Sequence, residues 1–196
     1  MSIWIKVCGM TSAPAVETAV QAGVDAVGFV FAPSKRQVTA QQALTLSELV
    51  PSHIARVAVM QHPTQAHVDE VLRVFKPDVL QTDWEDLENL NLPNELSVLP
   101  VLRTSNVLPN KLPTRFLFEG LVSGSGETAD WLSAASLAKQ GQLILAGGLN
   151  PGNVVAAIQL VHPFGVDVSS GVESTPGVKD LNKIIEFVNA ARLSQC

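Results

Sequence analysis

The 196-residue sequence predicts an α/β fold, a single-domain (β/α)8 barrel of the TIM type, and two observations carry that prediction. Short β-branched or aromatic runs alternate with amphipathic stretches along the whole length, and eight such runs can be counted. Near-continuous apolar strands, each followed by a helix, imply a parallel sheet covered on its outer face. Eight βα units in so short a chain close into a small barrel more readily than they spread into an open doubly wound sheet.

The elements follow in order. The first strand, 3–7, is the run Ile3-Trp4-Ile5-Lys6-Val7, and a helix over 13–22 comes after Cys8 and the flexible Gly9. The second strand, 26–31, lies in AVGFVFAP, and the helix over 40–50 starts behind Thr39, whose side-chain oxygen can accept an orphan backbone N–H. Strand 54–60 precedes a helix over 65–75, capped in the same way by Thr64. Strand 79–81 leads to a helical pattern over 84–90, and strand 97–101 leads to RTSNVLPNKLPT. Pro109 and Pro113 leave little room for a helix there, so the fifth helix is expected to be short or absent. Strand 116–119 ends on Glu119, followed by a helix over 129–139, strand 143–146, a helix over 153–161 and strand 165–168. Asp180 can cap the last helix, 180–192. No linker divides the chain. A faint echo, GVDAVGFV at Gly23 and GVDVSSGV at Gly165, suits repeated βα units without proving duplication.

Composition excludes several classes of function. With 46% hydrophobic and 16% charged residues the chain can build a core and is not disordered. A net charge of −5, with no basic cluster beyond Lys35-Arg36, argues against nucleic-acid or membrane-surface partners, and no protein partner is implied. Cys8 and Cys196 read as reduced thiols of a cytoplasmic protein. No signal peptide is expected, and the longest apolar stretch is roughly half of the ~18 residues a spanning helix needs. His53, His62, His67 and His162 are scattered without metal-ligand spacing, so no metal site is expected.

In a barrel of this kind, chemistry sits at the carboxyl ends of the strands. Three of these junctions carry small residues: Gly124, Ser125 and Gly126; Gly147 and Gly148; and Ser169, Ser170 and Gly171. Their backbone N–H groups can converge on an anion, which points to a substrate phosphate held near Gly126, Gly148 and Ser170. Glycines that merely make turns are the plainer alternative. Arg36 reads alone as an ordinary solvated arginine; its functional reading is a fork for a substrate carboxylate. Glu119 ends the apolar Phe116-Leu117-Phe118, so its charge must be paired or face a mouth open to ligand. Cys8 is either a buried filler or an acid/base residue. Lys6 lies on the same strand face, about 6.5 Å away, and its cation would favour the thiolate.

KVCGMT, AVGFVFAPSKRQV, the SGSG and ADW segment, AGGLNPGNV and GVDVSSGVESTPGVKD together resemble the phosphoribosylanthranilate isomerase family of tryptophan biosynthesis, from residue 6 to residue 180. The resemblance implies a cofactor-free Amadori rearrangement of a phosphosugar substrate. It implies Cys8 as general base, Arg36 as the holder of the anthranilate carboxylate, and Glu119 where the family has its general-acid aspartate. Gly124, Ser125, Gly126, Gly147, Gly148, Ser169 and Ser170 match its phosphate site, and Asp167 is expected near the substrate. The chain departs from the pattern at Glu119, which is one methylene longer, and at Asp83, where the family's Gln-Leu-His-Gly has its histidine. Ser123 replaces a glycine. Two rivals remain at this stage. A histidine-pathway phosphosugar isomerase would call for paired aspartates and a stronger repeat. A non-catalytic phosphometabolite-binding protein would show no turnover.

Overall fold

Alternation along the strands sorts the side chains into two sets, because neighbouring residues of a strand point to opposite faces. The structure, a computed structural model, describes residues 2–103, 108–120 and 130–194. Its strands are β1 (Trp4–Cys8), β2 (Ala26–Val30), β3 (Ala55–Val59), β4 (Val79–Asp83), β5 (Ser97–Arg103), β6 (Arg115–Glu119), β7 (Gln142–Leu145) and β8 (Gly165–Val168). Each is hydrogen-bonded to the next and β8 returns to β1, so the eight form a closed parallel barrel. Lys6 sits opposite Ala26 on one side and Asp167 on the other, which sets the register of the closure.

One set fills the barrel: Leu99, Val101, Leu117, Ile144 and Ala146, packed with Trp4, Val79 and Phe164. The other set, including Ile5, Val7, Phe29, Phe116, Phe118 and Leu143, meets the surrounding helices through Val16, Val68, Val71, Ile158 and Phe187. Phe29 and Phe75 meet edge to face at 5.2 Å between ring centres. Burying such a ring contributes about 1.5–3 kcal/mol.

The helices are α1 (Ala13–Ala22), α2 (Ala40–Ser47), α3 (Gln65–Val74), α4 (Trp131–Ala138), α5 (Val154–Val161) and α6 (Leu181–Leu193). Thr39 and Gln42 form a reciprocal capping box, Thr64 accepts from the His67 N–H, and Asp180 accepts from Asn182 and Lys183. Two details go beyond the sequence reading. The pattern over 84–90 is a 3-10 helix, Trp84–Asn89, and none of its residues is buried. Trp84 packs only partly against the core, and Pro93 lies just beyond, so little extends the turn into a longer helix. The loop after β8 holds a 3-10 turn, Ser170–Val172, and an antiparallel pair, β9 (Glu173–Thr175) and β10 (Val178–Lys179), that no apolar pattern announced. Between β5 and β6 the described residues, 108–114, contain no helix, in keeping with the two prolines. Among the described residues no helix is long and apolar enough to cross a membrane.

Candidate active site

Period-2 alternation carries the inward face of each strand from the apolar plug up to its carboxyl end. Above Trp4 come Lys6 and Cys8; above Val79, Gln81 and Asp83; above Val101, Arg103; above Leu117, Glu119; above Gly165, Asp167 and Ser169. The rim of the barrel is therefore polar where its interior is not.

Beside β1 the key position is Gly28 of β2, opposite Cys8. A Cβ there would lie 2.9 Å from Cys8 Sγ and 3.1 Å from Lys6 Cε, so only glycine leaves room for both side chains. Lys6 is fully buried and its Nζ donates to Asp167 Oδ1 at 2.9 Å. Burial opposes the Lys6 charge, but Asp167 and Cys8 outweigh it and hold Lys6 above its ordinary pKa. Burial lifts Asp167 upward against the pull of Lys6 and Lys179. It lifts the Cys8 thiol as well; Lys6 and Lys179 draw it down, Asp167 pushes it up, and the net shift is upward. The expected thiolate-favouring effect of Lys6 is present but outweighed, chiefly by burial, with the Asp167 carboxylate adding to it.

The loops after β1, β2 and β8 interlock around Arg36. Gly9 takes φ +78°, and a Cβ on it would meet Arg36 Cδ at 2.7 Å. Gly177, at φ +92°, presses against the Lys35 carbonyl in the same way. Arg36 is not an open fork. Its Nε and Nη2 donate to Glu173 Oε1 and Oε2 at 2.7 and 2.9 Å, a bidentate pair. Glu173 also accepts from Lys179 Nζ at 2.9 Å and from the Gly177 N–H at 3.1 Å. Burial would raise its pKa, but Arg36, Lys179 and the Gly177 N–H outweigh that and bring it to about 2. Lys179, drawn below its ordinary value by burial, donates to the Ser169 carbonyl at 2.9 Å.

Across the barrel, Arg103 links two carboxylates. Its Nε and Nη2 reach Asp83 Oδ1 at 2.8 and 2.7 Å, and its Nη1 reaches Glu119 Oε1 at 2.7 Å. Burial lifts the pKa of Asp83 against the opposing pull of Arg103. Asp83 Oδ2 and Gln81 Oε1 are buried without a hydrogen-bond donor among the described residues. His62, at φ +46°, donates its N–H to Asp86 Oδ2, its Nδ1 lies 2.8 Å from Asp86 Oδ1, and its Nε2 stands 3.7 Å from Asp83 Oδ2. His62, Asp83 and Asp86 are the described group whose atoms, all within 4.8 Å, are spaced as metal ligands; the Arg103 cation on Asp83 opposes a metal cation there.

Loops seven and eight are pressed together. Gly147 and Gly148 take φ +88° and +65°, and Asn153 pins the turn by donating to the Gly148 carbonyl at 2.9 Å and accepting from the Asn150 N–H at 2.8 Å. A Cβ on Gly171 would lie 1.9 Å from the Leu149 carbonyl oxygen. This brings Gly147, Gly148, Ser169 and Ser170 to one side of the rim; Gly124, Ser125 and Gly126 lie outside the described residues. Sequence reasoning gave no role to Arg103, Glu173, Lys179 or Asn153. The rule that singled out Glu119, a charge ending an apolar strand, applies equally to Arg103 after Leu102. The others act through contacts distant in sequence.

A family profile described as N-(5'phosphoribosyl)anthranilate (PRA) isomerase matches residues 5–190. The chain is 41% identical over 192 residues to an N-(5'-phosphoribosyl)anthranilate isomerase of Streptococcus pneumoniae, covering 96% of this chain and 95% of that one. Its structure is similar to the crystal structure of TrpF from Jonesia denitrificans, with a TM-score of 0.84, 36% identity, and coverage of 100% and 99%. It is also similar to a phosphoribosyl anthranilate isomerase crystallised with reduced 1-(o-carboxyphenylamino)-1-deoxyribulose 5-phosphate, with a TM-score of 0.76, 31% identity, and coverage of 96% and 98%.

Proposed function

The chain belongs to the phosphoribosylanthranilate isomerase family, and from that premise we propose how its own residues carry the reaction. The enzyme isomerises N-(5'-phosphoribosyl)anthranilate to 1-(2-carboxyphenylamino)-1-deoxyribulose 5-phosphate, a step of tryptophan biosynthesis. The observation supporting the assignment of roles is a thiol and a carboxyl group on the inward faces of β1 and β6, three strands apart in the closed ring.

Glu119 acts as the general acid. It protonates the furanose ring oxygen while the anthranilate nitrogen lone pair forms the C1'=N bond, and the ring opens to an iminium. Cys8, as thiolate, then takes the proton from C2', and the C–H electron pair gives the enolamine. A proton added at C1' and one lost from the 2'-hydroxyl complete the ketone. Each positioned acid or base contributes about 10²–10⁴ in rate. The iminium charge favours the Cys8 thiolate at the step that needs it, offsetting the burial that holds the resting thiol protonated.

Arg36 receives the anthranilate carboxylate in exchange for, or beside, the Glu173 carboxylate it now holds. Gly147, Gly148, Ser169 and Ser170, with Gly124, Ser125 and Gly126, take the phosphate, and Asp167 lies beneath the sugar beside Lys6. Two proton-transfer groups balance the reaction without a cofactor. A cytoplasmic location fits a reaction that requires Cys8 reduced. A fluorescence assay of phosphoribosylanthranilate consumption by purified protein tests the activity, and Glu119→Gln tests the acid. Substrate binding should survive in that variant while turnover falls by at least about 10²; unchanged turnover would remove Glu119 from the role.

A further inference from the structure

We propose that Asp83 and Arg103 are positioning residues for Glu119, and that Asp83 and Glu119 are a matched pair joined through the Arg103 guanidinium. This rests on the reading of Glu119 as the acid.

The geometry carries it. Arg103 lies opposite Glu119 in the β5–β6 register, while Asp83 lies opposite Val101, two residues earlier on β5. The Arg103 side chain therefore leans back to β4 with two of its nitrogens on Asp83 Oδ1 and sends the third to Glu119. A guanidinium is planar and its donors hold a fixed fork. Where Asp83 anchors one edge, the position of the remaining donor is set, and with it the place of Glu119 Oε1. All three side chains are nearly buried, 2%, 10% and 12% exposed, so water does little to loosen the chain of contacts.

Asp83 is a costly way to hold a strand end. Among the described residues its buried Oδ2 accepts no hydrogen bond, with His62 Nε2 no nearer than 3.7 Å, a cost that stability alone does not call for. The two ends of the bridge are also two of the positions, with Ser123, where the chain departs from the pattern it resembles. Shortening Glu119 to Asp would withdraw the carboxyl by roughly 1.5 Å, one C–C bond, from an Arg103 donor that Asp83 does not let follow. A misplacement of about 1 Å can cost on the order of 10² in rate.

The test is a set of steady-state kinetics on the full-length enzyme. Asp83→Asn, which keeps size but loosens the anchor, should lower kcat at least about threefold with KM changed less than about twofold. Glu119→Asp alone should lower kcat at least about fivefold. Asp83→Asn added to Glu119→Asp should then raise kcat, because the released Arg103 can follow the shorter acid. A change from harmful to helpful is not what a merely structural residue produces. Thermal unfolding of each variant identifies any loss that comes from folding, and should such loss occur, Arg103→Lys gives the same comparison, with kcat reduced beside Glu119 and unaffected in Glu119→Gln. Equal, additive losses in both backgrounds, or full activity in Glu119→Asp, overturn the pairing. Full activity in Glu119→Gln instead overturns the assignment of the acid and the proposal with it, so the two failures are told apart.

Discussion

A thiol serves as a base only after losing its proton, and at Cys8 burial and Asp167 hold that proton while Lys6 and Lys179 favour its departure. The balance lies with the proton, chiefly because the thiol is buried, and Asp167, which holds Lys6 at 2.9 Å, adds to it. In a Cys196→Ser background, the rate of iodoacetamide alkylation at Cys8 should rise with pH to a midpoint above the free-cysteine value of about 8.5. A midpoint well below that value would mean that the cations prevail and that the resting base is already ionised. Cys8→Ser should keep the fold and lose at least about 10² in kcat, since a hydroxyl ionises far less readily than a thiol. Near-normal turnover in that variant would exclude the base. The presence of Lys6 on the Cys8 face was legible in the sequence by strand alternation alone. Its partner Asp167 was 161 residues away, and no local pattern encodes that contact. Arg103 was legible in principle, as a charge ending an apolar strand, but the strand was read only as far as Val101, two residues short of it.

Among the elements, what the sequence encoded locally was read correctly and what depends on neighbours was not. Eight apolar runs became eight strands, and Thr39, Thr64 and Asp180 cap the helices that their side chains predicted. The stretch 84–90 has a helical pattern in which Trp84 and Leu90 pack only partly against the core, and the decision between α and 3-10 lies in that packing. β9 and β10 are three and two residues long, too short for a period-2 signal, and they exist because Gly177 turns tightly against Lys35. The glycines of loops seven and eight could be seen, but their shared purpose could not. Gly171 lies so close to the Leu149 carbonyl that any side chain must drive the two loops apart. Gly171→Ala should therefore weaken inorganic phosphate binding about tenfold, the loss of roughly one charge-assisted hydrogen bond, while the circular dichroism spectrum stays that of the parent. Calorimetric titration gives the answer, and an unchanged phosphate affinity would detach these loops from the anion site.

For the molecule as a whole, the barrel closes through the β8–β1 ladder, and above that seam the loop after β8 is tied to the loop after β2 by Glu173. One carboxylate there meets Arg36, Lys179 and the Gly177 N–H, with its side chain only 4% exposed. Its pKa is lowered from 4.5 to about 2, so the folded state binds this proton less readily than the unfolded chain does. That contribution to stability is complete above pH 4.5 and is lost as pH falls toward 2, where both states are protonated. By that linkage the charge contributes on the order of 3 kcal/mol at neutral pH. Glu173→Gln keeps the size and one acceptor but sets an amide against two cations, so its urea midpoint should fall well below that of the parent at pH 7. The gap should shrink steadily between pH 5 and pH 3, because the parent loses by protonation what the variant has already lost by substitution. Arg36 and Lys179 remain charged throughout that range, so the narrowing belongs to the carboxylate. A gap that stays constant down to pH 3 would show that Glu173 holds the two loops through shape and hydrogen bonding rather than through its charge.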